Sequence, residues 1–146
     1  MNKNNYLINL AESTRTDFGR EDFSKQVEAQ KVFSAIWALE SEVNNGGFLQ
    51  YFSNSSGETA NFAPTALRHI GAIRCASIVE QAIAAISSKP LPDSHDARQR
   101  ILNSVGEAAC AKLEELDKQF FAYPDNLTNL LFDYVCAHSE VFGTVE

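Results

Sequence analysis

Side chains able to do chemistry are few in this chain, and their spacing is poor for it. The three histidines, His69, His95 and His138, are scattered. No two stand three or four residues apart beside a carboxylate, the arrangement that puts metal ligands on one helix face. Cys136, His138 and Glu140 alternate at i, i+2, a spacing that splays side chains on a helix. That trio reads as a half-buried thiol and a helix-end imidazole near the negative dipole end, and no metal is expected. Nucleophilic catalysis has no better footing: there is no G-x-S-x-G elbow, and no cysteine stands in a glycine-rich or cationic setting that would lower its pKa. The paired carboxylates, Glu114 with Glu115 and Glu40 with Glu42, fall where solvated helix faces are expected. General acid catalysis needs a carboxyl raised by burial. The reading is a non-enzymatic chain without a cofactor.

The densest set of unusual residues is NNGGFLQYFSNSSGE, Asn44 to Glu58. Asn44 or Asn45 suits a left-handed helix end, and glycine suits it better. Gly46 or Gly47 then starts a new helical run in which Phe48, Leu49 and Phe52 fall at i, i+1 and i+4. Ser55 and Glu58 have capping-box spacing, so the segment predicts the start of a further helix. Free N–H groups at two helix starts suit an anion or a partner carboxylate. No basic residue lies between Lys31 and Arg68, however, which speaks against phosphate. Two readings stand: a structural corner, or a small-ligand or enzyme site using Asn45, Gln50, Tyr51 and Asn54.

The elements that would position these residues are helical. Val32, Ile36, Leu39 and Val43 fall at i, i+4, i+7 and i+11, one apolar face widened by Phe33 and Trp37. Asp22 or Ser24 is the expected cap, and the helix should end near Asn44. Residues 62–70 predict a helix with Pro64 in its first turn, where the free N–H groups make proline cheap. Gly71 permits a bend before Ile73, Ile78, Ala82 and Ile86. Residues 87–96, SSKPLPDSHD, read as a linker, with Asp93 or Ser94 capping a helix that carries Ile101 and Leu102. After Gly106, Ala109, Leu113, Leu116 and Phe120 repeat the i, i+4, i+7, i+11 pattern, and Tyr123-Pro124 ends it. A closing helix carries Leu127 to Val135, with Val141 and Phe142 near its end. A short helix or loose segment is expected within residues 1–20. The prediction is all-α: a single compact domain over 1–146 with about six or seven helices.

At 146 residues the chain is long enough to bury roughly two thirds of its unfolded surface. The apolar scrap from Tyr6 to Leu10 is too short for a secretory leader, and no apolar run approaches the roughly 18 residues a membrane span needs. Three cysteines without paired spacing read as reduced thiols, so a cytoplasmic protein is expected. Net charge is −7, unevenly spread. Residues 1–104 hold 11 acids and 10 bases, whereas residues 105–146 hold 8 acids and 2 bases. Such a field repels phosphate backbones and favours a basic partner. Asp125, Asp133 and Glu140 fall at i, i+8 and i+15, nearly one helical face. Glu107, Glu114 and Lys118 share a face of the preceding helix, with Glu115 beside them and Asp117 on the same element.

The run from Glu42 to Glu58, followed by Ala66 to Ala72 (ALRHIGA), resembles the bacterial DNA-mimic-protein-like domain family. The likeness spans roughly residues 25–142. Its signature positions here are Asn44, Asn45, Gly46, Gly47, Phe48, Gln50, Tyr51, Phe52, Asn54, Ser56, Gly57 and Glu58. The family is all-helical, and its named member is an acidic dimer occupying the DNA-binding surface of a transcription regulator. The resemblance therefore implies an acidic protein-binding module, a possible homodimer, that covers the basic surface of a nucleic-acid-binding regulator. Its contacts would come from Glu107, Glu114, Glu115, Asp117, Asp125, Asp133 and Glu140, with no direct nucleic-acid binding and no membrane. An immunity-type inhibitor of a nuclease toxin would use the same surface.

Overall fold

One long helix organises the molecule. In the computed structural model, which describes residues 1–145, α2 spans Glu28–Ser53, and the other long helices lean on it or on its neighbours. The element order is α1 (Lys3–Glu12), a 3-10 turn (Phe23–Lys25), α2, a second 3-10 turn (Ser55–Thr59), α3 (Ala63–His69), α4 (Ile73–Ile86), α5 (His95–Asn103), α6 (Glu107–Phe121), α7 (Leu127–Ala137) and α8 (Ser139–Phe142). No strand occurs among the described residues. Glu146, counted above among the late acids, lies outside them.

The periodic face of α2 does what its spacing predicts: Val32, Phe33, Ile36, Leu39 and Val43 have no exposed surface. Trp37 stays partly exposed and stacks on Phe33, with ring centroids 5.5 Å apart. Leu113, Leu116 and Phe120 of α6 close the core from the other side. Each such side chain contributes about 1.5–3 kcal/mol by leaving water. α6 packs on α2 and α4, α3 bridges α2 and α4, and α7 packs on α1 and α8.

Several local expectations are corrected. α2 begins at Glu28, after Val27, and not at a cap provided by Asp22 or Ser24. Gln26 explains the delay. Its buried amide donates to the carbonyls of Asp17 and Glu21 and accepts from the Ser34 hydroxyl at 2.7 Å, holding residues 17–26 as an ordered loop. Residues 87–94 do link α4 to α5 as expected, with His95 and Asp96 already in α5, but the link is fastened. Leu91 is buried, and its N–H and C=O pair with the Asn61 side-chain amide at 2.9 and 2.7 Å. The closing helix is broken at His138, so α7 and α8 are separate. Ser94 caps α5 as expected, accepting from the Ala97 N–H.

Candidate functional site

The signature segment is a kink in α2. Gly46 and Gly47 leave helical geometry, with Gly47 at φ +77°, where a side chain is strained. A Cβ at Gly47 would lie 2.4 Å from Asp117 Oδ2 of α6. This close approach has a purpose. Breaking the helix frees N–H groups at the new start, and the Phe48 N–H donates to Asp117 Oδ1 at 2.9 Å. Asp117 thus caps half a helix from 69 residues away. Burial raises its carboxyl above the ordinary range, the neighbouring Glu114 adds to the rise, and the Phe48 N–H opposes it. The Gln50 and Asn54 amides both donate to Glu42 Oε2 at 2.9 Å, stapling the two halves together. Phe48 meets Phe120 edge-on, 6.0 Å between centroids.

The second half of the signature folds around a buried arginine that the sequence reading missed. Arg98, 2% exposed, sends Nε to the Phe52 carbonyl (3.0 Å), Nη2 to that of Asn54 (3.1 Å), and Nη1 to those of Asp93 (2.7 Å) and Pro92 (3.2 Å). Two of these carbonyls belong to the end of α2, where carbonyls lack helical partners and the dipole is negative. No carboxylate pairs with Arg98 among the described residues. A Cβ on Gly57 would sit 2.9 Å from Arg98 Nε and 2.7 Å from the Phe52 carbonyl, so glycine makes room for the guanidinium. Thr59 Oγ1 donates to the Ser56 carbonyl, which leaves the Tyr51 hydroxyl to donate to Thr59 at 2.6 Å. The predicted capping box of Ser55 and Glu58 does not form: no side chain caps this 3-10 turn, and Glu58 is exposed. Tyr51, Phe48, Phe52 and Gly57 are buried, whereas Asn45 and Asn54 are exposed and Gln50 points to Glu42. Asp117 and Arg98 pack into the corner, and a cavity of about 370 Å³ lies beside its second half, lined by Ser55, Ser56, Glu58 and Thr59 and by residues 18–23.

The seven candidate acids divide into two kinds. Asp117 caps the kink, and Asp125 Oδ2 accepts the Cys75 N–H at 2.8 Å in the first turn of α4. Burial and the nearby Asp125 push the Cys75 thiol up to about 12. Glu107, Glu114 and Glu115 on α6, Asp133 on α7 and Glu140 on α8 are exposed. Glu115 has Lys112 Nζ at 3.9 Å. The single face expected for Asp125, Asp133 and Glu140 is corrected: Asp125 precedes α7 and turns to α4, and Glu140 follows the break at His138. Glu40 also departs from the solvated face predicted for it. It is half-buried and accepts from the Tyr123 hydroxyl at 3.0 Å, while Asn44 Nδ2 donates to the same hydroxyl at 2.7 Å. Burial raises the Glu40 carboxyl, and the Tyr123 bond opposes that rise. Only the Tyr-Pro pair hinted at this contact, by marking where the chain turns.

A groove of about 710 Å³ runs between the start of α2, the end of α3 and α7. Ala29, Ile70, Leu130 and Tyr134 make its apolar lining, with Glu28, Asp133, His69 and His138 as its polar groups. His69 Nε2 stands 3.0 Å from Glu28 Oε1, and His138 Nδ1 stands 2.8 Å from the Tyr134 carbonyl. Sequence reasoning had Asp133 but assigned no role to Glu28 or His69, because nothing local links residues 28, 69 and 133. Among the described residues no group of three or more His, Cys, Asp or Glu could hold a metal ion.

The family model described as DMP19-like protein matches residues 25–138. The chain belongs to that family. DMP19-like proteins are of DNA-mimic type, in agreement with the resemblance drawn from residues 42–72. No curated protein and no solved structure matches the chain. The matched range takes in the kink, Arg98 and the acids of α6 and α7, and stops before Glu140. Among the described residues, no helix is long and apolar enough to cross a membrane.

Proposed function

We propose that this DMP19-like chain is a non-enzymatic acidic module that occupies the basic surface of a nucleic-acid-binding protein. The observation that carries this reading is the division among carboxylates. Glu107, Glu114, Glu115, Asp133 and Glu140 stand exposed on rigid helices, and a single lysine contact offsets them. The polar side chains of the signature corner, by contrast, are engaged with one another: Gln50 and Asn54 donate to Glu42, and Tyr51 donates to Thr59. Fixed exposed carboxylates offer a basic groove the same sign of charge as phosphates do. They speed encounter with it, and salt weakens the attraction because the charges face solvent.

Affinity capture from cell lysate with the intact chain, at low and at raised salt, tests the proposal. The expected result is a basic nucleic-acid-binding protein retained at low salt, released by salt or by competing duplex DNA. Recovery of no such protein at either salt would sink it. If the captured protein is a nuclease whose activity the chain blocks, the immunity-type reading replaces regulator binding.

A further inference from the structure

We propose that the groove between α2, α3 and α7 is a receptor for an arginine side chain of the basic partner, with Asp133 and Glu28 taking the guanidinium. This rests on the proposed function and names the contact that would carry it. The argument begins with where protons must be. The Tyr134 carbonyl can only accept, so His138 Nδ1 carries the hydrogen of their 2.8 Å contact, and the neutral ring keeps Nε2 as an acceptor. Glu28 Oε1 stands 3.0 Å from His69 Nε2, an ion pair when that ring is protonated. With its ring neutral, His138 therefore offers Nε2 as an acceptor, in a groove that also holds the Glu28 and Asp133 carboxylates.

An acceptor-rich groove suits a ligand that has only donors. Guanidinium has five N–H donors in a planar fork and no acceptor. The lining adds a second match. The rings of His138 and Tyr134 stack with centroids 4.0 Å apart, and planar, weakly hydrated guanidinium favours aromatic surfaces over which an ammonium gains less. Burial raises the Tyr134 phenol above its ordinary range, and Glu28 and then Glu140 raise it further. Asp133 is exposed and makes no side-chain bond among the described residues, leaving it free to pair.

The test is anisotropy of labelled hexa-arginine and hexa-lysine peptides titrated with the full chain at equal, low ionic strength. Hexa-arginine is expected to bind about fivefold tighter than hexa-lysine. Asp133→Asn should abolish that preference, as should Tyr134→Leu, with circular dichroism showing both variants folded. Asp133 is exposed, so its variant keeps the test valid even if Tyr134→Leu unfolds. Equal affinity for the two peptides, no binding of hexa-arginine, or a preference that survives Asp133→Asn overturns the inference. A preference lost instead in Glu107→Gln/Glu114→Gln/Glu115→Gln also overturns it, by moving the contact to α6 while leaving the proposed function standing. Failure of the lysate capture has the opposite meaning: it removes the proposed function and not the arginine preference.

Discussion

Asp117 and Glu114 lie one turn apart on α6, yet one is built into the fold and the other faces water. Asp117 is half-buried against the kink of α2 and holds the Phe48 N–H; Glu114 is exposed and bonds to nothing among the described residues. The same contrast separates the signature corner from the late acidic helices as wholes. In the corner, rare residues at fixed spacing answer geometric demands, such as a positive φ, an approach under 3 Å or an orphan N–H. On the late helices, Glu107, Glu114, Glu115, Asp133 and Glu140 are ordinary exposed residues. The signature residues here serve the architecture, and on the proposed function the working surface lies elsewhere.

Breaking the corner should be costly, and Arg98 is the largest lever. Arg98→Met would leave four carbonyl contacts unmade in a buried place, a loss of about 4 kcal/mol in urea unfolding. Arg100→Met, two residues away and exposed, should change stability by less than about 0.5 kcal/mol. Equal effects would mean that the buried guanidinium matters no more than a surface one. Next comes Gly47→Ala, which meets both a positive φ and Asp117; about 2–3 kcal/mol of destabilisation is expected in the same measurement.

A third comparison stays within one helix. Asp117→Ala removes the cap on Phe48 and should cost about 1–2 kcal/mol, whereas Glu114→Ala should lie within about 0.5 kcal/mol of wild type. In partner capture the order should reverse, with Glu114→Ala weakening retention and Asp117→Ala, if folded, leaving it intact. A variant that loses both stability and binding would erase the division between the two regions. The smallest effect concerns Glu40, whose carboxyl is raised by burial. The folded state then holds its proton to higher pH than the unfolded state, so stability falls as pH rises from the ordinary carboxyl value through the raised one. Glu40→Gln should accordingly be the more stable form at pH 7, and its advantage should fade toward pH 4. Urea titrations at the two pH values measure this directly.

Much of the fold could be read from local pattern. The i, i+4, i+7, i+11 runs of α2 and α6 gave their buried faces, and Gly46-Gly47 marked the break in α2, because a helix writes its burial into periodicity. Ser94 was found because a cap acts three residues away. What could not be read acts across the chain. Asp117 reaches Phe48 over 69 residues, Arg98 reaches Phe52 over 46, and Asp125 reaches Cys75 over 50. Such acids look like any solvated carboxylate until tertiary packing supplies the N–H. The same reason hid the groove: Glu28, His69 and Asp133 come from three helices and share no spacing.

The paired amide of Asn61 and backbone of Leu91, together with the Arg98 bonds to Pro92 and Asp93, fasten the proline-bearing stretch at three successive middle positions. A region that looks like a hinge is thus a weld. Proteases should find little slack there, and the helices before and after it cannot swing independently. For a protein that docks on this chain, the backbone through this stretch is already ordered, and the ordering cost falls on exposed side chains.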